Sequence, residues 1–227
     1  MHPSFASVAS SLSSASNRNP RSDYVPPCFS GHSLVELESG NTKAMSQLEV
    51  GDRILSADAS GQLSFDDVIF LPHGRNSIVA DFVSVTAESG KQVHATPIHL
   101  FRMCDGGLSM ASDLRAGSCI RTVDGDEILS LIEKIADSDA GVYTAVVARN
   151  EFIVVDGFVA SPFATAPIGH WAVHRLYHIH RLLYWLMPTV MKNLPTTVVA
   201  TNSILGAGLS LALDTVLKSS SSTTGSL

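Results

Sequence analysis

Between residues 28 and 161 the apolar positions come in short runs and partial alternations, punctuated by Gly, Ser, Asn and Asp. Leu34-Val35-Glu36-Leu37 is followed by the turn signal Ser39-Gly40-Asn41, and Arg53-Ile54-Leu55 ends at Ala59-Ser60-Gly61. Residues 78–87 alternate in part, through Val79, Phe82, Val83 and Val85. Further short apolar stretches lie at 94–101, 128–135, 142–148 and 151–155. Stretches of this kind between turn residues predict strands. The period then changes. Residues 170–187 place Ala172, Leu176, Ile179, Leu183 and Leu186 on one helical face, and His170, His174, His178 and Arg181 opposite, with Trp171, Tyr184 and Trp185 on the flanks. That spacing predicts an amphipathic helix, stopped by Pro188. Residues 196–213 form a second apolar stretch without a charge. It reaches the ~18-residue length of a membrane-span candidate, but Thr, Asn, Ser and Gly dilute it. A surface-lying or packed helix is an equal reading. The fold class is mostly β, followed by C-terminal helices.

One pattern occurs twice. Ser46-x-Leu48-x-x-Gly51-x-x-Ile54 returns as Ser112-x-Leu114-x-x-Gly117-x-x-Ile120. Each copy leads to an Asp with a nearby Gly, at Asp58/Gly61 and Asp124/Gly125. The echo is either coincidence or the mark of two related β-subunits.

Composition sets the boundaries. Of 227 residues, 45% are hydrophobic, enough for one mid-sized core. The net charge is −6 and no block of Lys or Arg occurs, so nucleic acid is not an expected partner. Residues 1–27 are rich in Ser, Asn, Arg and Pro and read as a disordered leader. They lack a charged start followed by an apolar run, so no signal peptide is seen. Residues 28–165 are the expected folded domain, 166–217 a helical region, and 218–227 a Ser/Thr-rich disordered tail. Three cysteines leave at least one thiol free, and no C-x-x-C metal pattern occurs. Cys104 and Cys119 either pair in an oxidising compartment or stay as two buried thiols. The general tendency of free Cys to be buried favours the second. His170, His174 and His178 share a helical face, but no carboxylate or Cys accompanies them, so no metal and no cofactor is expected.

The candidate chemistry begins at Cys28. It follows Val25-Pro26-Pro27, at the boundary between the leader and the first strand. Thr96-Pro97-Ile98-His99 comes later, and residues 152–161 close the β-rich part. A thiol placed there can attack its own upstream carbonyl, which makes Pro27–Cys28 the candidate scissile bond. Such an N–S acyl shift needs a nucleophile, a proton for the departing amide nitrogen, and a group that orients the peptide. Cys28 supplies the first. His99 suits the second, since an imidazole with an unperturbed pKa near ~6.5 exchanges protons at neutral pH. Thr96 suits the third.

The order of these elements resembles the Hint superfamily, the hedgehog autoprocessing domains and inteins. It is most similar to the hedgehog C-terminal domain. The resemblance is carried by Cys28-Phe29-x-Gly31, then Leu48-x-x-Gly51-Asp52-Arg53-Ile54-Leu55-Ser56-Ala57-Asp58, then Thr96-x-x-His99-Leu100, then Val159-Ala160-Ser161. It implies a fold of two pseudo-twofold-related β-subunits. It implies a single-turnover cleavage in which the chain's own N-terminal segment is the substrate, and a secretory or membrane-associated setting. In hedgehog proteins the thioester passes to the hydroxyl of cholesterol with the help of an Asp. That position here is His73, a residue that serves equally as a base or as a solvated loop residue. A sterol or other lipid is thus an implied co-substrate, and Trp171, Leu176, Ile179, Leu183 and Trp185 are the implied lipid-binding candidates. Two features depart from the family. Pro27 stands where a small or flexible residue is usual, and Ala160-Ser161-Pro162 lacks the Asn with which inteins finish. Splicing is therefore not expected. Hydrolysis without lipid transfer, or a silent lipid-binding module, are the alternatives.

Overall fold

A computed structural model describes residue 26 and residues 28–72, 79–138, 140–164 and 178–189. Its strands are β1 (Phe29–Ser30), β2 (Leu34–Glu36), β3 (Thr42–Ala44), β4 (Arg53–Ala57), β5 (Leu63–Phe70), β6 (Ala80–Ala87), β7 (Gln92–Ala95), β8 (His99–Arg102), β9 (Leu108–Met110), β10 (Cys119–Thr122), β11 (Gly125–Ser138), β12 (Val142–Tyr143), β13 (Val146–Val147), β14 (Phe152–Val155) and β15 (Phe158–Ala164). Among the described residues one α-helix follows, α1 (His178–Leu186).

β2 and β3 form a separate hairpin, and the rest join in one 13-stranded sheet in which β1 lies between β12 and β7. The long β11 pairs with β10 near its start and with β6 further on, which carries the sheet from one half to the other. The main core draws on both halves, with Phe29, Ile54, Val68, Val85, Phe101, Ile120, Ile153 and Phe158 in one cluster.

The repeated pattern is structural. Each copy opens on a single 3-10 turn, Met45–Gln47 and Ala111–Asp113. Gly51 and Gly117 take φ of 98° and 89°, a region that L side chains adopt only with strain. Their amides donate to Val68 and Leu129. Ile54 bridges to Leu37, and Ile120 bridges to Met103. The equivalence reaches back to the preceding turns, where Ser33 N–H donates to the Ser30 carbonyl and His99 N–H to the Thr96 carbonyl. The turn that follows Cys28 and the turn that carries His99 are two copies of one device.

Several expectations are corrected. Residues 94–101 are not one strand: a turn at Thr96 to Ile98 separates β7 from β8. Residues 142–148 split into β12 and β13. β5 is an eight-residue strand that the apolar pattern did not pick out, because Asp66-Asp67 interrupts it. Asp66 is buried there because its carboxylate accepts from the amides of Arg149 at 2.6 Å and Asn150 at 2.9 Å, and from Arg149 Nε at 3.2 Å. Cys104 and Cys119 are not buried thiols: they form a disulfide, half-exposed, with a Cα separation of 5.5 Å.

Helix α1 also faces differently from its periodicity. Tyr184 is buried against Ile69, Phe70, Val146 and Phe163. Arg181, expected on the polar face, lies on the docked side and donates to the carbonyls of Val147 at 3.3 Å and Asn150 at 3.1 Å. Leu186, expected on the apolar core face, is exposed. Carbonyl acceptors along β13 and the turn after it explain this. They satisfy a guanidinium that a hydrophobic pattern assigns to water.

Candidate functional site

β1 places Cys28 at the start of the folded sheet. Phe29 pairs with Tyr143 on one side and with Ala95 on the other. Cys28 and Thr96 therefore lie at the end of the same ladder, and Thr96 N–H donates to the Cys28 carbonyl at 2.8 Å. The Thr96 hydroxyl works in the other direction. It accepts from Cys28 N–H at 2.9 Å and donates to the Pro26 carbonyl at 3.0 Å. One side chain thus spans the peptide groups on both sides of Pro27, and the amide nitrogen it holds is the one a cleavage would release.

His99 begins β8, one short turn beyond Thr96. Its ring lies against Phe29, with centroids 4.0 Å apart and planes tilted by 56°, and against Phe101 at 5.7 Å. Cys28, Thr96 and His99 are all fully buried. The cysteine side chain packs with Ala80, Phe82 and Val142. That burial pushes its thiol well above the ordinary value. Cys28 is the free cysteine, since the other two are paired. Close approach is built into the turn after β1: a Cβ on Gly31 would collide with the Tyr143 ring and the Ala140 carbonyl.

Hydrogen bonds join Cys28 to Thr96, and His99 follows one turn beyond Thr96 with its ring on Phe29, the residue after Cys28. Pro27, His73, Trp171 and Leu176 lie outside the described residues, as do the imidazoles of His170, His174 and His178. The backbone of Ile179 is in α1, though its side chain is not described. Leu183 is half-buried, and Trp185 is 76% exposed beside Leu182 and Leu186. Thr144 was missed. It is buried, and its hydroxyl donates to the Pro162 carbonyl at 3.0 Å. The one aliphatic hydroxyl inside the apolar stretch 142–148 was the available signal.

The Hint module family matches residues 18–214. The chain belongs to the Hint family. Among curated relatives, this Hint module is 29% identical over 170 residues to Sonic hedgehog protein of Danio rerio, covering 70% of this chain and 40% of the relative. It is 25% identical over 181 residues to Protein hedgehog of Drosophila hydei, covering 75% and 38%. The chain therefore spans about two fifths of the length of these relatives. Among solved structures, a DnaB intein from Synechocystis matches with TM-score 0.52 and 18% identity over 62% of this chain and 99% of that one. A bacterial intein-like domain from Clostridium thermocellum matches with TM-score 0.51 and 18% identity, covering 61% and 99%. These neighbours show the fold. Family and relatives together support a Hint autoprocessing domain of the hedgehog and intein kind.

Proposed function

We propose that this Hint module cleaves its own chain at Pro27–Cys28. The observation that carries the reading is the Thr96 clamp on the amide nitrogen of Cys28 and the Pro26 carbonyl. The Cys28 thiolate attacks the Pro27 carbonyl carbon, forming a C–S bond. The C–N bond then breaks, and His99 delivers the proton that the amide nitrogen needs. The products are a thioester on the upstream segment and a free amino group on Cys28.

In the second step an alcohol or water attacks the thioester, and the thiol leaves. A sterol hydroxyl is the acceptor we favour, with His73 taking its proton. The exposed Leu182, Trp185 and Leu186 on α1 support an apolar acceptor, since an aromatic and aliphatic face beside the domain suits a lipid interface. The half-exposed disulfide supports a secretory or extracellular setting, because such bonds persist where the medium is oxidising.

The test is mass spectrometry of the purified chain with and without dithiothreitol or hydroxylamine. A fragment starting at Cys28 is expected with either nucleophile, and Cys28→Ala should abolish it. Cleavage at this bond in the Ala variant sinks the proposal. Labelled cholesterol should mark the 1–27 fragment. If thiol cleavage proceeds and no label appears, water or another acceptor replaces the sterol.

A further inference from the structure

We propose that Thr144 is a positioning residue that locks the His99 strand to the Cys28 strand; this rests on the self-cleavage reading. Thr144 follows Tyr143, the partner of Phe29, so it lies one residue past the paired positions, across the ladder from Cys28. Strand alternation puts its side chain on the same face as Val142, which packs on Cys28. Its hydroxyl donates to the Pro162 carbonyl.

Pro162 sits in an irregular part of β15. Ala160 faces Phe101 and Ala164 faces His99, so β15 carries extra residues between two pairings that are two residues apart on β8. A bulge re-aims the partner strand and needs something to hold it. Phe163 N–H donates to Ser161 Oγ at 3.0 Å and holds it from within. Thr144 is its anchor on the strand next to the nucleophile.

The contacts close a ring. Cys28 is held by Thr96, Thr96 by the turn to His99, His99 by its pairing with Ala164, and the bulge before Ala164 by Thr144 beside Cys28. Every member named here is buried, apart from Ala164, whose side chain is not described. Removing the Thr144 hydroxyl strands a buried carbonyl and frees the bulge, so the imidazole and the scissile amide lose their common frame.

The test compares Thr144→Val with Thr144→Ser in the full chain. The Val variant should slow hydroxylamine-dependent cleavage on the order of 10-fold, and the Ser variant should restore it. A second readout is alkylation of the free Cys28 by iodoacetamide under native conditions, followed by mass spectrometry. Labelling should be slow in wild type and in the Ser variant, and clearly faster in the Val variant. Wild-type rates of cleavage and labelling in Thr144→Val overturn the proposal, as does failure of Ser to rescue. If wild type never cleaves while the labelling contrast holds, self-cleavage falls and the positioning role stands.

Discussion

In the proposed cleavage Thr96 acts through one oxygen, which accepts from the Cys28 amide and donates to the Pro26 carbonyl two residues upstream. Thr96→Val keeps the shape and removes both bonds, so cleavage by hydroxylamine should slow by about 10- to 100-fold. His99→Ala removes the proposed proton source as well as the ring packed on Phe29, and should leave no measurable thioester. Wild-type trapping in that variant removes His99 from the mechanism. The pH dependence follows from the thiol. Burial favours neutral Cys28, so the folded pKa lies above the unfolded one. The stability this gives is present below the unfolded value and is lost as pH rises through the folded value. The proposed reaction needs the thiolate, so the rate should climb with pH past the ordinary thiol range instead of levelling off there; a plateau near neutrality contradicts it. At this scale the sequence was legible where chemistry depends on chain order. Cys28 at a domain edge and a Thr-x-x-His turn are visible without coordinates. Thr144 was not, because its importance lies in the residue across the ladder, and register is not written in a single strand.

Helix α1 shows how far periodicity reaches. Its existence was readable from apolar spacing, but its docked face was not, because Arg181 docks through a guanidinium that a hydrophobic pattern treats as polar, beside a Tyr184 ring that the spacing left on the flank. β5 failed for the same reason: Asp66 is 1% exposed as a side chain because backbone amides satisfy it. Burial, together with the neighbouring Asp67 carboxylate, pushes the Tyr184 phenol up to about 12. The neutral phenol is the form the fold prefers, so docking is intact below pH ~10 and weakens as pH rises towards 12. Absorbance of the phenolate and helix signal should change together in that window, and Tyr184→Phe should remove the coupled part. The opposite face gives a separate prediction. Leu182→Glu with Trp185→Glu should abolish co-sedimentation with lipid vesicles while hydroxylamine cleavage stays at the wild-type rate. Retained co-sedimentation in the double variant excludes this face as the lipid contact.

Across the whole molecule, two links tie distant segments without touching the site. Lys91, in the turn before β7, pairs with Asp124 at 2.7 Å and Glu127 at 2.5 Å near the start of β11. Lys91 is the main cause that holds the Glu127 carboxyl at about 2 instead of 4.5. The folded pKa is the lower one, so this stability is present above pH 4.5 and is lost as pH falls towards 2. Glu127→Gln should cost on the order of 1 kcal/mol at neutral pH and flatten the acid limb of denaturation.

The other link is the disulfide, which ties the turn between β8 and β9 to the start of β10. Spacing alone did not decide it, since pairing requires two Cα atoms within bridging distance and that is a property of the fold. It also complicates the cleavage assay, because dithiothreitol acts on Cys104–Cys119 as well as on a thioester at Cys28. The two actions separate cleanly. Hydroxylamine attacks the thioester and leaves the disulfide, whereas a Cys104→Ala/Cys119→Ala chain has no disulfide to lose. The bond closes a loop with a sequence separation of 15 residues. Its removal should lower stability by about 2–3 kcal/mol, read as a lower thermal midpoint. β8 carries His99, but it is also held by β9 and β15, and the Thr96 clamp lies outside the disulfide loop. The doubly substituted chain should therefore cleave with hydroxylamine at close to the wild-type rate well below its melting temperature. A large loss of rate there, with the fold intact, would make the disulfide part of the machinery that positions His99.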